Sequence, residues 1–218
     1  MKIFAVVPVK DTGQAKQRLA QALPASIRQQ LALMMLQDVL DSLTVVSKLA
    51  GIIVVTEDAE VSRIARAYNI RVTAVGARDG HTGAVTAAGQ LLAAEGFGMM
   101  AMPADVPLVT PADIQSVLIS HGAAPAFTIV PSRDLQGSNT IVCTPADAVP
   151  LRFGSNSFYP HLAAAESCGI QPCVVHVPSI ALDIDTPDDV AEFLAAGSQT
   201  RAHRLLSEFR AEGNVAVR

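Results

Sequence analysis

Apolar runs of strand length that alternate with helical patterns constrain this chain more than any other feature. Ile3–Val9 (IFAVVPV), Gly51–Glu57 (GIIVVTE), Arg71–Gly76 (RVTAVG) and Gly98–Asp105 (GMMAMPAD) are such runs. Between them lie Ala25–Leu43, Glu60–Tyr68 and Thr82–Gly96, whose apolar residues recur at helical spacing. The first of these helices follows Pro24, a start signal. Strands that are apolar throughout are buried on both faces, and helical crossovers between them make a mostly parallel sheet covered by helices. The expected fold is therefore α/β, a layered sandwich.

The second half is less regular. Thr110–Gly122 and Thr186–Gly197 read as helices opened by Thr-Pro pairs. Asp188 and Asp189 in the first turn of the latter suit the helix dipole. AFTIVPSR and NTIVCT read as strands around the polar turn DLQGS. SFYPHLAAAESCG reads as a short helix with Pro160 in its first turn. QPCVVHVP and IALDID read as strands. The expected division is one domain over residues 1–197 and a polar, basic, partly helical tail over 198–218, which packs loosely or reaches a partner subunit in a homodimer.

At 218 residues and half hydrophobic, the chain can bury a core without disulfides or a structural metal. Its net charge of −4 argues against a nucleic-acid partner, which would call for a basic surface. Three cysteines at irregular spacing outline neither a disulfide framework nor a zinc site, and three buried thiols in a reducing cytosol are expected. No apolar run is long enough for a membrane span, so a cytoplasmic protein is expected.

In an open parallel sheet, ligands bind beyond the carboxyl ends of the strands. The first strand delivers Lys10, and its loop adds Lys16 and Arg18. The fourth delivers Asp105, and IALDID delivers Asp183 and Asp185, which alternate with Ile184 and so face one side of an extended segment. Such carboxylates are hard ligands of the kind Mg²⁺ takes together with substrate phosphates. Cations beside them suit phosphoryl or nucleotidyl transfer. The plainer alternatives stay open: Asp105 as a turn residue, Asp183 and Asp185 as helix caps, Lys16 and Arg18 as a solvated face.

A second cluster of polar groups runs from Gly137 to His161. Ser138, Asn139, Ser155, Asn156 and Ser157 offer neutral donors near a helix start, a natural place for a phosphate or carboxylate. Gly137 and Gly154 permit close backbone approach, and His161 either contacts an anion or fills a core position. Two polar turns around a hairpin are the plain alternative. The chain has no nucleophile elbow, no P-loop and no dinucleotide fingerprint.

Taken in order, VPVKDTGQAKQRLA, MPADVPLV, VPSRDLQGSNTIV, RFGSNSFYPHLAAA and LDIDTPDDV resemble the 2-phospho-L-lactate guanylyltransferase family, from about Ile3 to Leu194. The resemblance implies a nucleotide-diphospho-sugar transferase-like fold, a Rossmann-like α/β/α sandwich. It implies Mg²⁺-dependent transfer of GMP from GTP to 2-phospho-L-lactate, phosphoenolpyruvate or 3-phosphoglycerate, in the biosynthesis of the deazaflavin coenzyme F-420. By matching motif, Lys10, Lys16 and Arg18 would contact phosphates, and Asp105, Asp183 and Asp185 would hold Mg²⁺. Ser138, Asn139, Thr140, Gly154, Ser155, Ser157 and His161 would shape the acceptor pocket, and Gly80, His81 and Thr82 would lie near the nucleoside. Where the family shows Gly-Leu-Asn-x-Ala, this chain has Gly80-His81-Thr82-Gly83-Ala84. Another base or acceptor, such as CTP with a phosphonate or carboxylate, and a non-enzymatic nucleotide-binding protein therefore stay open as alternatives.

Overall fold

A computed structural model describes residues 1–212. Its seven strands are β1 (Ile3–Pro8), β2 (Leu49–Val55), β3 (Arg71–Thr73), β4 (Gly98–Ala101), β5 (Ala126–Pro131), β6 (Ser138–Thr144) and β7 (Cys173–Val174). They form one sheet in the order β3-β2-β1-β4-β6-β5-β7. Every pairing is parallel except those of β6, which runs antiparallel to both β4 and β5. The expected α/β sandwich with a mostly parallel sheet is what forms.

Helices α1 (Ala25–Thr44), α2 (Ala59–Ala67), α3 (Gly80–Ala94), α4 (Pro111–Ser120) and α5 (Phe158–Ser167) cover the sheet. A single-turn α6 (Pro178–Ala181), then α7 (Pro187–Ala195) and α8 (Arg201–Ala211), complete the described residues. Alternation along β1 shows why two apolar layers form. Ala5 and Val7 face the cluster built with Leu36, Val39 and Leu40 of α1, while Val6 faces Val85, Ala88 and Leu92 of α3. Ala5, Val6 and Val7 of β1, residues 52–55 of β2 and all of β4 are buried whichever way they point, and this is why those runs are apolar throughout. Gly51 of β2 sits opposite Phe4, whose ring would lie 2.4 Å from a Cβ at that position.

Several sequence expectations need correction. IALDID is not a strand: Pro178 starts α6, which ends at Ala181, and Leu182–Asp185 continues without pairing in the sheet. The alternation survives, with Leu182 and Ile184 buried and the two aspartates facing outward. QPCVVHVP contributes only Cys173–Val174 to the sheet. The thiols are not all buried: Cys143 is in the core, Cys173 is half-buried and Cys168 is exposed where α5 ends.

The tail does not pack loosely as far as it is described. Asp38 of α1 accepts the backbone N–H groups of Arg201 and Ala202 at 2.9 Å each, capping α8 from another helix. Ala202 and Leu206 join the cluster of Leu31, Met35 and Phe193. Residues 213–218 of that tail lie outside the described residues. Among the described residues, no helix is long and apolar enough to cross a membrane.

Candidate active site

Where β1 and β4 end, the backbone turns away from the sheet and leaves a crevice, as open α/β sheets do. Because β6 is antiparallel, its amino end, Ser138 and Asn139, lies at this same rim. A cavity of about 1310 Å³ opens there. It exceeds the roughly 300–1,000 Å³ usual for one small ligand, so two substrates have room side by side. All the site residues expected from sequence line it except Thr140, Asn156 and His161.

The loop after β1 is fixed at several points. Thr12 donates its N–H and hydroxyl to Asp58, which also caps α2. Arg28 of α1 donates to the Ala15 carbonyl at 2.8 Å. These anchors hold Lys16 in a left-handed conformation, φ +53°, which a residue with a Cβ seldom adopts. Its ammonium is driven between two carboxylates, 2.6 Å from Asp105 Oδ2 and 2.7 Å from Asp185 Oδ1. Burial alone would push the ammonium pKa down, but the two carboxylates outweigh it and raise it, so Lys16 is charged. Arg18 is exposed and stands 3.7 Å from Asp185. Lys10 is exposed at the wall and makes no salt bridge among the described residues.

Asp105 and the Leu182–Asp185 segment are tied through the backbone, Ile184 N–H donating to the Asp105 carbonyl at 3.0 Å. Asn139 lines the cavity, but its N–H groups are spent within the wall. It donates to the Ile180 carbonyl at 2.8 Å and to Asp183 at 3.1 Å, locking this segment onto β6. Burial and the nearby charges of Asp105 and Asp185 raise the pKa of Asp183, against the opposing hydrogen bond from Asn139. Among the described residues, no three His, Cys, Asp or Glu side chains are grouped to hold a metal by themselves. The cation already between these carboxylates is Lys16.

On the other wall, His81 heads α3 and packs edge-on against Phe153 at 4.5 Å. Burial lowers its pKa, with Lys10 adding to the effect and Asp105 opposing it. Thr82 staples its helix to the opposite loop, its hydroxyl accepting the Phe153 N–H at 3.0 Å. Gly76 (φ +76°) and Gly83 are needed for the turn before α3: a Cβ on Gly76 would meet the Gly83 carbonyl oxygen at 2.6 Å. A Cβ on Gly83 would lie 2.2 Å from the Cβ of Asp79, so glycine there has a packing reason of its own. Gly154, Ser155 and Ser157 line the cavity beyond Phe153.

Thr140 is fully buried, its hydroxyl without a hydrogen-bond partner, and it touches no ligand space. His161, 1% exposed, sits behind the wall and bonds to Ser138. The sequence reading missed Arg133, at the rim and paired with Asp189 and Glu192, because it ends AFTIVPSR, which reads only as a strand. It also missed Phe153, set between His81 and His161, since a lone aromatic carries no motif.

Comparison with known proteins agrees with this geometry. The family model described as "Guanylyl transferase CofC like" matches residues 1–216. The phosphoenolpyruvate guanylyltransferase of Rubrobacter xylanophilus is 36% identical over 201 residues, covering 90% of this chain and 96% of that protein. The 2-phospho-L-lactate guanylyltransferase of Methanothermobacter thermautotrophicus is 30% identical over 210 residues, covering 96% and 92%. A crystal structure from Desulfovibrio desulfuricans G20, described as a nucleotide-diphospho-sugar transferase, superposes with a TM-score of 0.79 at 18% identity, covering 96% of each chain. That likeness establishes the fold expected from the motifs.

Proposed function

The chain belongs to the family of guanylyl transferases described as CofC like, and from that premise we propose that it moves GMP from GTP to a small phosphorylated acid and releases pyrophosphate. The acid is phosphoenolpyruvate, 2-phospho-L-lactate or 3-phosphoglycerate. The observation that carries this reading is one rim where Lys10, Lys16 and Arg18 stand with Asp105, Asp183 and Asp185 in a cavity large enough for two substrates. Relatives of similar identity are named for different acids, so identity does not choose among them.

An acceptor phosphate oxygen attacks the α-phosphorus of GTP in line, and pyrophosphate leaves with the bonding electron pair. The attacking phosphate is already ionised at neutral pH, so no general base is required. The protein's work is positioning and charge neutralisation. Lys10 and Arg18 are the cations we assign to the triphosphate oxygens, both exposed and lining the cavity. The bond between Thr82 and Phe153 ties the start of α3 to the loop that carries Gly154, Ser155 and Ser157.

Mg²⁺ is the cation we assign to Asp105, Asp183 and Asp185. The donor chemistry suits it, hard oxygens that would hold the ion together with substrate phosphates, and burial with the charges of Asp105 and Asp185 raises the Asp183 pKa, which a divalent cation would offset. When bound, Mg²⁺ polarises phosphate oxygens and offsets their charge. In this reading the protein works in the cytoplasm and supplies the nucleotide-activated precursor of coenzyme F-420.

The deciding experiment is pyrophosphate release with Mg²⁺ across four nucleoside triphosphates and the three acids, with product masses read from the same wells. A product of GTP and one of these acids is expected. Turnover only with another nucleotide would overturn guanine and point to the His81 loop, and nucleotide binding without any turnover would overturn the enzyme.

A further inference from the structure

His161 lies on α5 behind the cavity wall, and both of its ring nitrogens are engaged. The backbone N–H of Arg152 donates to Nε2 at 2.9 Å, and Nδ1 lies 2.9 Å from Ser138 Oγ. A backbone N–H can only donate, so Nε2 must carry the lone pair. The neutral imidazole then has its hydrogen on Nδ1, and the bond to Ser138 runs from histidine to serine. Burial pushes the His161 pKa down to about 4, which keeps the ring neutral at working pH.

The consequence falls on two hydroxyls. Ser157 Oγ lies 3.2 Å from Ser138 Oγ and donates to it. Ser138 and Ser157 are 9% and 4% exposed, and both line the cavity. Two hydroxyls own two hydrogens, and one is used between them. Since the imidazole accepts nothing from this pair, the other hydrogen has no partner in the protein and faces the cavity. With Nδ1 unprotonated, that hydrogen would be drawn back to the ring and the cavity would see only a lone pair.

We propose that His161 is a positioning residue that fixes the polarity of the Ser138–Ser157 pair, so that it presents a hydrogen-bond donor to an anionic oxygen of the acceptor acid. This rests on the acid-accepting reading above and goes beyond it. The wall is a one-way donor set before any ligand arrives, and it discriminates against groups that can only donate. Its cause is a backbone N–H from Arg152, outside the cavity.

The test has one arm that needs no substrate. In ¹⁵N NMR of the protein alone between pH 5 and 8, the His161 ring, identified by loss of its signals in His161→Phe, shows a protonated Nδ1 and an unprotonated Nε2. The opposite tautomer overturns the proposal, whatever the protein catalyses. In the second arm, His161→Phe raises KM for phosphoenolpyruvate roughly tenfold to a hundredfold, the loss of one hydrogen bond to a charged group, while KM for GTP changes little. His161→Asn keeps an N–H at the Nδ1 position and recovers most of the loss. Ser138→Ala gives the same rise and stands in if His161→Phe does not fold. Equal changes in both KM values, or no rescue by His161→Asn, would make the role merely structural and overturn the proposal. Inorganic phosphate and pyruvate, as competitors of the acid, report which of its anionic ends meets the hydroxyls: the one whose inhibition weakens in Ser138→Ala. Absence of turnover in the wild type would fail the acid reading and leave the tautomer arm to decide.

Discussion

Lys16 Nζ lies 2.6 Å from Asp105 Oδ2, although 89 positions separate the two residues in the chain. Together with Asp185 this makes a carboxylate–ammonium–carboxylate bridge at the floor of the cavity. The bridge does two things at once: it closes the loop after β1 onto the end of β4, and it occupies the space between two carboxylates assigned to a divalent cation.

Lys16→Met leaves Asp105 and Asp185 facing each other with no cation between them. A fully buried pair broken this way costs about 3–5 kcal/mol, and exposure of the two aspartates reduces the expected loss here to about 1–3 kcal/mol. Added Mg²⁺ should restore much of that loss in the variant and do less for the wild type. Thermal unfolding with and without Mg²⁺ measures both, and a variant as stable as the wild type without metal would remove the bridge from the fold's energetics.

Asp105→Asn keeps the shape and removes one charge. Turnover is expected to fall by at least about 10²–10³-fold, the scale seen when one preorganised electrostatic group is lost. Circular dichroism should stay close to the wild type, and the unfolding midpoint should fall less than in Lys16→Met because Lys16 keeps Asp185. Unchanged turnover with unchanged Mg²⁺ dependence would take Asp105 out of the proposed metal site.

His121 ties α4 to the sheet, its ring nitrogens 2.9 Å from the hydroxyls of Thr128 and Thr144. Burial, helped by the amino-terminal charge, pushes its pKa down to about 4. Between pH 6.5 and 4 the unfolded chain therefore binds a proton that the folded one does not, and stability falls as pH drops through that window. His121→Gln should reduce the loss by about 1–2 kcal/mol after allowing for solvent screening. Melting temperatures at half-unit pH steps would show a flatter slope, and parallel slopes for the two proteins would exclude His121 as the source.

Asp38→Ala removes the acceptor for two N–H groups at the start of α8. A lost cap of this kind costs about 0.5–2 kcal/mol. Limited proteolysis should cut the variant between α7 and α8 sooner than the wild type, with Asp38→Asn in between. Equal cutting rates would mean that the apolar contacts of Ala202 and Leu206 hold the helix by themselves.

The β–α alternation, the burial of β1, β2 and β4, and the placing of Lys10 and Asp105 just past strand ends were legible from residue order, because hydrophobic period and helix start signals are local. The Thr-Pro starts of α4 and α7 were equally plain, and both close as capping boxes. Pairing partners were not legible. That Lys16 meets Asp105 and Asp185, that Asn139 spends its amide on Ile180 and Asp183, and that His161 turns away from the cavity all depend on which strands become neighbours and in which direction β6 runs. Those choices are made by the summed packing of the whole sheet. A charge or a hydroxyl takes its role from the group that faces it, and in this protein that group is usually tens of residues away.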